Sequence, residues 1–403
     1  MRPLSGIKVV ELATVVAAPT ASRVLCDFGA EVVKIETLAG DEMRRVGVQE
    51  NVPCEDYKNP LFTVTNSNKK LTAINIKTEA GREIVHKMLA GADVFISNIR
   101  MASLRRLGLD YETLAERYPR LIYAHFSGYG SAGESANKPG FDVTAFWLRS
   151  GPMSDWQTEG SFPMDPTYAF GDIATSNAFL SGILMALLGR ERTGRGTKVE
   201  SSLYASGIWC NSVAVVESQP PFAHSLNPVP FRPADPFSAY YKCSDGKWIG
   251  VFCNEYTRDL PKFANLLGIP EYIEDSRCRD VPALCESGML EEMTRAVADV
   301  VARRSSEEWS RIFTENNISN EVAAHARDVS TDAQAIDNAF VKEVEFKDGL
   351  KVMMPMPPVK FSGYEQREYT PTGKIGENTD EVLLALGYSE AEICALKRDK
   401  VII

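Results

Sequence analysis

The stretch KVVELATVVAAPTASRVLCDFGAEVVKIE, residues 8–36, decides the fold class. Its two ends, IKVVE at 7–11 and EVVKIE at 31–36, are rich in β-branched residues and therefore predict short strands. Between them, small and apolar residues recur at helical spacing, and Gly29 stands where a helix would end. Strand, helix and strand in this order form the βαβ unit of a parallel sheet.

The same alternation continues along the chain. Further strands are predicted at 71–75, 93–98 and 121–128, with helices at 78–92 and 110–117. We therefore expect a doubly wound α/β domain, in which ligands bind at the carboxyl ends of the strands.

The remaining segments predict a second, smaller domain and a return to strands and a helix. An apolar helix at 173–190 is followed by a proline-rich linker at 218–236, a hairpin around Asp245-Gly246, helices over 256–316, strands within 340–363 and a closing helix at 378–398.

Composition excludes several classes of protein. Hydrophobic residues make up 44% of the chain and charged residues 24%, a balance typical of globular proteins. The formal charge of −10 and the pI near 5.2 argue against nucleic acid as the main partner. The eight cysteines include no CxxC pair and the four histidines are dispersed, so we expect neither a metal site nor a disulfide framework. With no signal-peptide pattern and no uncharged apolar run near ~20 residues, we expect a cytoplasmic protein without a membrane span.

Several ordered segments carry a family resemblance. They are residues 8–36, NSNKKLTAINIKTEAG (66–81), ADVFISNIRMASLRRLGLDYETL (92–114), SGYGSAG (127–133), GDIATSN (171–177), TGRGTKVESSL (193–203) and GENTDEVLLALGY (376–388). Together they resemble the class III (family III) CoA-transferases, the group that includes formyl-CoA transferase and carnitine CoA-transferase. The segment PGFDVTAFWLRSG (139–151) is most similar to the transferases of anaerobic amino-acid fermentation, which act on 2-hydroxy acids such as phenyllactate and 2-hydroxyisocaproate.

The resemblance implies a fold and an assembly. A Rossmann-like large domain would be built from both chain ends, a smaller α+β domain would lie between them, and two ring-like chains would interlock as a homodimer. On this chain the large domain would occupy 1–215 and 326–403, the linker 216–236 and the small domain 237–325. The substrates would be an acyl-CoA and a carboxylic acid, with no metal, and a 2-hydroxyacyl-CoA dehydratase system would be a partner.

Asp172 is the candidate nucleophile. From the residues alone it is either the cap of the helix predicted at 173–190 or a carboxylate stabilised by that helix N-terminus. The resemblance implies the second role, because Asp172 aligns with the family's nucleophile. Its carboxylate would attack a thioester to give a mixed anhydride and then an aspartyl-CoA thioester. Gly171 beside it would permit close approach of backbone N–H donors to the oxyanion.

The resemblance also implies the coenzyme A contacts. They are Val15, Val16, Ala17, Ile74 (as a wall for adenine), Lys77, Asn98, Ile99, Arg106 and Lys138. Some family members carry an arginine where this chain has Thr37, so that phosphate contact is either lost or taken over by Lys34 or Arg44. Taken alone, each lysine or arginine is a solvated surface charge.

Three further residues are candidates for the acid site. Asp142 either orients the acid or is a turn residue, and Phe146 and Trp147 either line an acyl pocket or belong to the core. The segment FRPADPFSAYY (231–241) corresponds to the glycine-rich lid of formyl-CoA transferase but lacks a glycine run, which indicates a bulkier, more apolar acid. We therefore predict transfer of CoA from an enoyl-CoA to a 2-hydroxy acid such as (R)-2-hydroxyisocaproate or phenyllactate.

Two other functions stay open on the sequence. The 2-methylacyl-CoA racemases share this fold and pair an Asp with a His, but the His position falls on Phe141, which cannot carry a proton. His125 on the preceding strand could replace it only with a different geometry. The second alternative is a non-catalytic CoA-binding subunit, and the presence of Asp172 argues against it.

Overall fold

A six-stranded parallel sheet forms the centre of the larger of two units in the computed structural model, which describes residues 1–157, 160–164, 166–222, 233–365 and 367–403. Its strands are β1 (Lys8–Leu12), β2 (Glu31–Glu36), β3 (Lys70–Ala73), β4 (Val94–Ser97), β5 (Ile122–Ser127) and β6 (Lys198–Ser202). They lie in the order β3-β2-β1-β4-β5-β6, the order of a doubly wound Rossmann-like sheet. The predicted α/β class is confirmed.

Nine helices accompany this sheet in the described N-terminal part of the larger unit. They are α1 (Ala17–Asp27), α2 (Pro60–Asn66), α3 (Glu79–Ala90), α4 (Met101–Leu107), α5 (Tyr111–Arg117), α6 (Pro152–Asp155), α7 (Phe170–Thr193), α8 (Leu203–Cys210) and α9 (Ser212–Glu217). Helices α1 and α7 on one side and α3, α4 and α5 on the other cover the two faces of the sheet. Alternate strand residues enter two separate cores, so that Val9 and Val94 pack on the side of α1 and α7 while Val10 and Phe95 pack on the side of α3. This alternation follows from the two-residue period of a strand.

Helix α7 is the longest helix in the described part of the chain and, by length and composition, the one there that could cross a membrane. It packs against α1, and its residues Phe179, Ile183 and Leu187 are buried in the core that α1 shares. One side of α7 is therefore packed into the larger unit, while only 33% of its most apolar stretch is buried.

The C-terminal segment returns to the larger unit and departs from the sequence prediction. It contains α14 (Ala333–Asp337), the antiparallel pair β10 (Val341–Glu345) and β11 (Lys351–Pro355), α15 (Thr379–Ala385) and α16 (Glu390–Arg398). The single closing helix predicted at 378–398 is wrong, because Gly387 has a φ of 86° and separates α15 from α16. The edge strand β6 was also not predicted, since its sequence KVESS lacks the apolar run of a buried strand.

The smaller unit is built around a three-stranded antiparallel sheet in the order β7-β8-β9. Its elements are β7 (Ala239–Lys242), β8 (Trp248–Phe252), α10 (Tyr256–Leu267), α11 (Val281–Ser287), α12 (Met289–Val301), α13 (Ser306–Glu315) and β9 (Ser319–Val322). The larger unit falls within Met1–Gln157, Phe162–Leu226 and Ala333–Ile403, and the smaller within Thr158–Ser161 and Asn227–Asp332. Much of the predicted linker, residues 223–232, lies outside the described residues, as do the first two residues of the predicted lid at 231–241.

Candidate active site

A cavity of about 760 Å³ opens at the carboxyl ends of β1, β4 and β5 in the larger unit. Strands β1 and β4 are neighbours, and the chain runs outward from them in opposite directions, so the cavity lies at the topological switch point of the sheet. The turn after β1, the turn after β4, the loop after β5 and Asp172 at the start of α7 all contribute to its lining.

Most of the predicted coenzyme contacts meet in this cavity. The predicted residues that line it are Val15, Val16, Ala17, Asn98, Ile99, Lys138 and Asp172. Asn98 also holds the turn after β1, because its side chain accepts a hydrogen bond from the Thr14 amide (3.0 Å) and donates one to the Thr14 carbonyl (2.8 Å). Lys77 and Arg106 are exposed and lie outside the cavity lining.

Lys34 and Arg44 are corrections to the sequence analysis. The Lys34 side chain has 0% exposure, and its Nζ is saturated by Glu11 (2.8 Å), Asp41 (2.8 Å) and the Ala13 carbonyl (2.8 Å). Arg44 is buried too, and it forms two 2.7 Å hydrogen bonds with the Glu36 carboxylate. Because their donors are engaged inside the protein, neither side chain is available for a phosphate.

Three apolar candidates are corrections as well. Ile74 is 1% exposed and belongs to the core beside α3, where it pairs with Ile402, so it cannot form a wall for adenine. Phe146 and Trp147 are each 3% exposed and lie in the core shared with α1 and α7. Trp147 packs on Phe170 at the start of α7, with ring centroids 5.7 Å apart. These aromatic rings support the helix start and do not line the cavity.

Helix α7 is capped by a residue from elsewhere in the chain. The helix begins at Phe170 after Ala169, which has a φ of 63°, and Asp172 is therefore its third residue and not its cap. The cap comes from Asp142, whose carboxylate accepts hydrogen bonds from the backbone amides of Gly171 (3.2 Å) and Asp172. This role is neither of the two considered from the sequence: Asp142 does not line the cavity, and its carboxylate fixes the start of the helix that carries Asp172.

Gly171 is required by this packing. A Cβ atom at position 171 would lie 2.5 Å from Cγ of Phe146 and closer still to Oδ1 of Asp142. The Gly171 amide is engaged by Asp142 and is therefore not itself an oxyanion donor, whereas the close approach of other backbone donors that this glycine would permit stays a prediction. Its small size serves helix packing.

The two carboxyl groups are electrostatically coupled. Burial, followed by the negative charge of Asp142, raises the pKa of Asp172 from 3.8 to about 7. Burial raises the pKa of Asp142 to about 6, against the opposing effect of the Gly171 and Asp172 amides and the Trp147 indole. Near neutral pH, Asp172 therefore exists partly as a poorly solvated carboxylate inside a cavity, which suits a nucleophile.

Several lining residues escaped the sequence analysis. Arg100 and Arg105 line the cavity on the turn and helix after β4, whereas the predicted Arg106 does not. Arg100 directly follows Ile99, so the rule that ligands bind after strand ends could have identified it. Lys198 also lines the cavity, but it lies on the unpredicted strand β6, so no pattern indicated it.

Comparison with known proteins shows relatives along the whole chain. The family model for CoA-transferase family III matches residues 4–379. The chain is 34% identical to (R)-2-hydroxy-4-methylpentanoate CoA-transferase of Clostridioides difficile, covering 99% of both chains. It is also 34% identical to cinnamoyl-CoA:phenyllactate CoA-transferase of Clostridium sporogenes, over 98% of this chain and 96% of that one.

The fold has a solved counterpart. A CAIB/BAIF family protein from Brucella suis superposes with a TM-score of 0.78 at 26% identity, covering 96% of this chain and 99% of that chain. With a family model that spans nearly the whole chain and two CoA-transferases above 30% identity, the protein belongs to CoA-transferase family III and is a transferase that uses CoA thioesters.

Proposed function

We propose that this enzyme transfers coenzyme A from an enoyl-CoA to a free 2-hydroxy acid, with Asp172 as the carboxylate that becomes acylated. The observation that carries the proposal is the position of Asp172. It lies at the N-terminus of α7, in the cavity at the switch point of the sheet, with a pKa raised to about 7. A helix N-terminus favours negative charge, but burial and the Asp142 charge outweigh it, so the ionised carboxylate is left poorly solvated and therefore reactive.

The steps follow from carboxylate chemistry. The Asp172 carboxylate attacks the thioester carbonyl, a C–O bond forms and the C–S bond breaks, giving a mixed anhydride and CoA thiolate. The thiolate then attacks the aspartyl carbonyl, which forms an aspartyl-CoA thioester and releases the first acid as its carboxylate. The acceptor acid runs the same two steps in reverse and leaves as the new acyl-CoA. Charge is conserved throughout, and water must be excluded because both intermediates hydrolyse.

The proposed acceptor is a 2-hydroxy acid with a branched or aromatic side chain, such as (R)-2-hydroxyisocaproate or phenyllactate. Two relatives whose names specify such acids support it. Phe141 supports it too, because this apolar side chain is 64% exposed and lines the same cavity as Asp172. A small dianion such as oxalate would find an apolar ring there in place of a polar partner.

An acceptor panel tests this specificity. With cinnamoyl-CoA or the corresponding enoyl-CoA as donor, we expect kcat/KM for phenyllactate or 2-hydroxyisocaproate to exceed that for formate roughly 30- to 150-fold. Burial of one such apolar group contributes about 2 to 3 kcal/mol. A preference for formate, oxalate or carnitine would contradict the acceptor class and leave the transferase chemistry untouched.

The racemase alternative is distinguished by its proton transfer. His125 lines the cavity, but its Nε2 lies 3.0 Å from the carbonyl of Ile99, and burial lowers its pKa. Phe141 occupies the position at which racemases carry their histidine. We therefore expect no deuterium uptake at the α-carbon of a 2-methylacyl-CoA in deuterated buffer; uptake without an acceptor acid would support a racemase.

The coupling of the two carboxyl groups predicts a pH effect. In Asp142→Asn the amide oxygen still accepts the Gly171 hydrogen bond, while the negative charge that raises the Asp172 pKa is removed. Because Asp172 must be ionised to attack, the acid limb of kcat/KM should move down by roughly one pH unit. The measurement is kcat/KM for the acyl-CoA between about pH 5 and 9, in the variant and in the unaltered enzyme. An acid limb at the same pH in both would show that Asp142 does not set the pKa of Asp172.

We also propose that two chains interlock as a homodimer. Support comes from large apolar side chains exposed along α7, α8 and α9, among them Met185 (67%), Leu188 (58%), Trp209 (78%) and Val213 (69%). Large exposed apolar side chains on helices that pack against one another, as α7 with α8 and α8 with α9 do, are typical of an association surface. Sedimentation at the mass of two chains would support the assembly, and a monomer at micromolar concentration would contradict it.

The cellular setting is a further proposal, supported by the family resemblance and by the relatives' named substrates. We propose a cytoplasmic enzyme of amino-acid fermentation that supplies 2-hydroxyacyl-CoA to a 2-hydroxyacyl-CoA dehydratase system. Copurification of the dehydratase would support a physical partnership, and its absence from stoichiometric pull-downs would limit the link to a shared metabolite.

A further inference from the structure

The turn between β1 and α1 has a backbone that its sequence does not favour. Val15 has a φ of 68°, in the left-handed region that a β-branched residue rarely adopts. Val15, Val16 and Ala17 line the cavity together with Asp172. A conformation of this kind persists only when the surrounding structure holds it in place, and such residues cluster at ligand sites.

A buried ion pair, Asp41 with Lys34, binds two backbone groups of this turn. The Val15 amide donates a hydrogen bond to Oδ1 of Asp41 (3.1 Å), and Oδ2 of Asp41 lies 2.8 Å from Nζ of Lys34. Lys34 in turn donates to the Ala13 carbonyl (2.8 Å). Two backbone groups of the turn, the Val15 amide and the Ala13 carbonyl, are therefore bound by the same pair of side chains.

The ion pair belongs to a balanced buried network. Lys34 also pairs with Glu11 (2.8 Å), and the other oxygen of Glu11 pairs with Lys69 (2.7 Å) and accepts from Ser22. All four charged side chains are at most 1% exposed. Two acids facing two lysines leave no net charge, which is the condition under which buried ions are tolerated.

The network also connects the turn to other parts of the cavity wall. Lys69 donates to the carbonyl of Pro19 in α1 (2.8 Å), so the helix that follows the turn is held by the same charges. Asp41 accepts a second hydrogen bond, from the Met43 amide (3.0 Å), and thereby caps the short helix Glu42–Val48, whose Glu42 lines the cavity.

We propose that Lys34 and Asp41 are positioning residues for coenzyme A: they hold the turn at Val15 in the shape that receives the coenzyme and touch no part of it. The proposal rests on the proposed function in that the cavity must bind CoA. It gives Lys34 a role other than the phosphate contact that the sequence suggested. The network acts by holding the backbone of Val15 in its left-handed conformation. Removing the network should let this backbone relax and thereby weaken CoA binding.

A double-mutant cycle between Asp41→Asn and Val15→Gly tests the proposal. Glycine adopts a φ of 68° without steric cost. At position 15 it therefore depends less than valine does on the hydrogen bond to Asp41 to keep this backbone conformation. We expect Asp41→Asn to raise the Kd of CoA about 10-fold in the Val15 background but only about 2- to 3-fold in the Val15→Gly background. Direct binding of CoA by calorimetry is the readout, with circular dichroism to confirm folding.

Two further variants keep the test decisive. Asp348→Asn removes an exposed ion pair with Lys58 (2.8 Å) in the same unit and should leave the Kd of CoA unchanged. If Asp41→Asn does not fold, Asp41→Glu replaces it in the cycle, because it keeps the charge against Lys34 and displaces the acceptor by one methylene. An equal change in Kd in both backgrounds, or no change, overturns the proposal. Failure of the unaltered enzyme to bind CoA would instead overturn the proposed function.

Discussion

Asp172→Asn should abolish CoA transfer, lowering kcat/KM for every acyl-CoA and acceptor pair by roughly 10⁴-fold or more. The amide has nearly the shape of the carboxylate but cannot form the anhydride or the aspartyl thioester. Because the substitution is nearly isosteric at the start of α7, we expect the variant to fold and to bind CoA. Residual transfer within about 10-fold of the unaltered enzyme would exclude Asp172 as the nucleophile.

The same substitution should stabilise the protein at alkaline pH. The pKa of Asp172 in the folded state, about 7, lies above its ordinary value of 3.8, so the folded state binds this proton more tightly than the unfolded state. That contribution to stability is complete below about pH 4 and is lost as the pH rises through 7. Asp172→Asn should therefore gain up to roughly 4 kcal/mol in the free energy of unfolding at pH 8 and little at pH 4. Chemical denaturation at the two pH values measures the difference, and a variant destabilised at pH 8 would contradict the burial argument.

Gly171→Ala has the second largest expected effect, because it disturbs the helix cap formed by Asp142 and displaces the neighbouring nucleophile Asp172. The added methyl group would overlap the Asp142 carboxylate and the ring of Phe146, so the start of α7 must move. We expect a loss of about 1 to 3 kcal/mol in unfolding free energy from overpacking. A displacement of Asp172 by about 1 Å should also lower kcat on the order of 100-fold.

The chain offers a matched control on the same helix. Gly189 is also within α7, but a Cβ atom there would meet nothing within 4 Å. Gly189→Ala should leave kcat unchanged and raise stability by up to about 1 kcal/mol, since alanine is the better helix former. If both alanine variants behaved alike in thermal unfolding and in kcat, the close packing at Gly171 would not matter for function.

The fold was predictable where the sequence has a regular period. The β1-α1-β2 unit and the strands β3 to β5 follow apolar runs of strand length separated by helical spacing, and the structure places them in one parallel sheet. The buried ion pairs of Lys34 were not predicted, although its position in the sequence indicated them. Glu11 and Lys34 stand inside strands that a parallel sheet buries on both faces, where a charged residue must be paired within the protein.

The support of the site could not be predicted from local pattern. Asp142 and Gly171 are 29 positions apart and meet only because residues Asp142–Leu148 form a π-helical turn against the start of α7. The aromatic residues Phe146 and Trp147 suit an acyl pocket and a hydrophobic core equally well by residue type. In the structure each is 3% exposed, so both belong to the core. By contrast, the residues after β1 and β4 were predictable, because the strand-end rule places them at the ligand site irrespective of packing.

Peptide-level trapping of the acylated enzyme tests the central claim most directly. The enzyme is incubated with an acyl-CoA and hydroxylamine, without an acceptor acid, and digested for mass spectrometry, alongside a sample without acyl-CoA. Both the anhydride and the aspartyl-CoA thioester should yield a hydroxamate on Asp172, with loss of activity in parallel and only when acyl-CoA is present. An active transferase with Asp172 unmodified, or a hydroxamate on Asp142 instead, would contradict the assignment of Asp172 as the nucleophile.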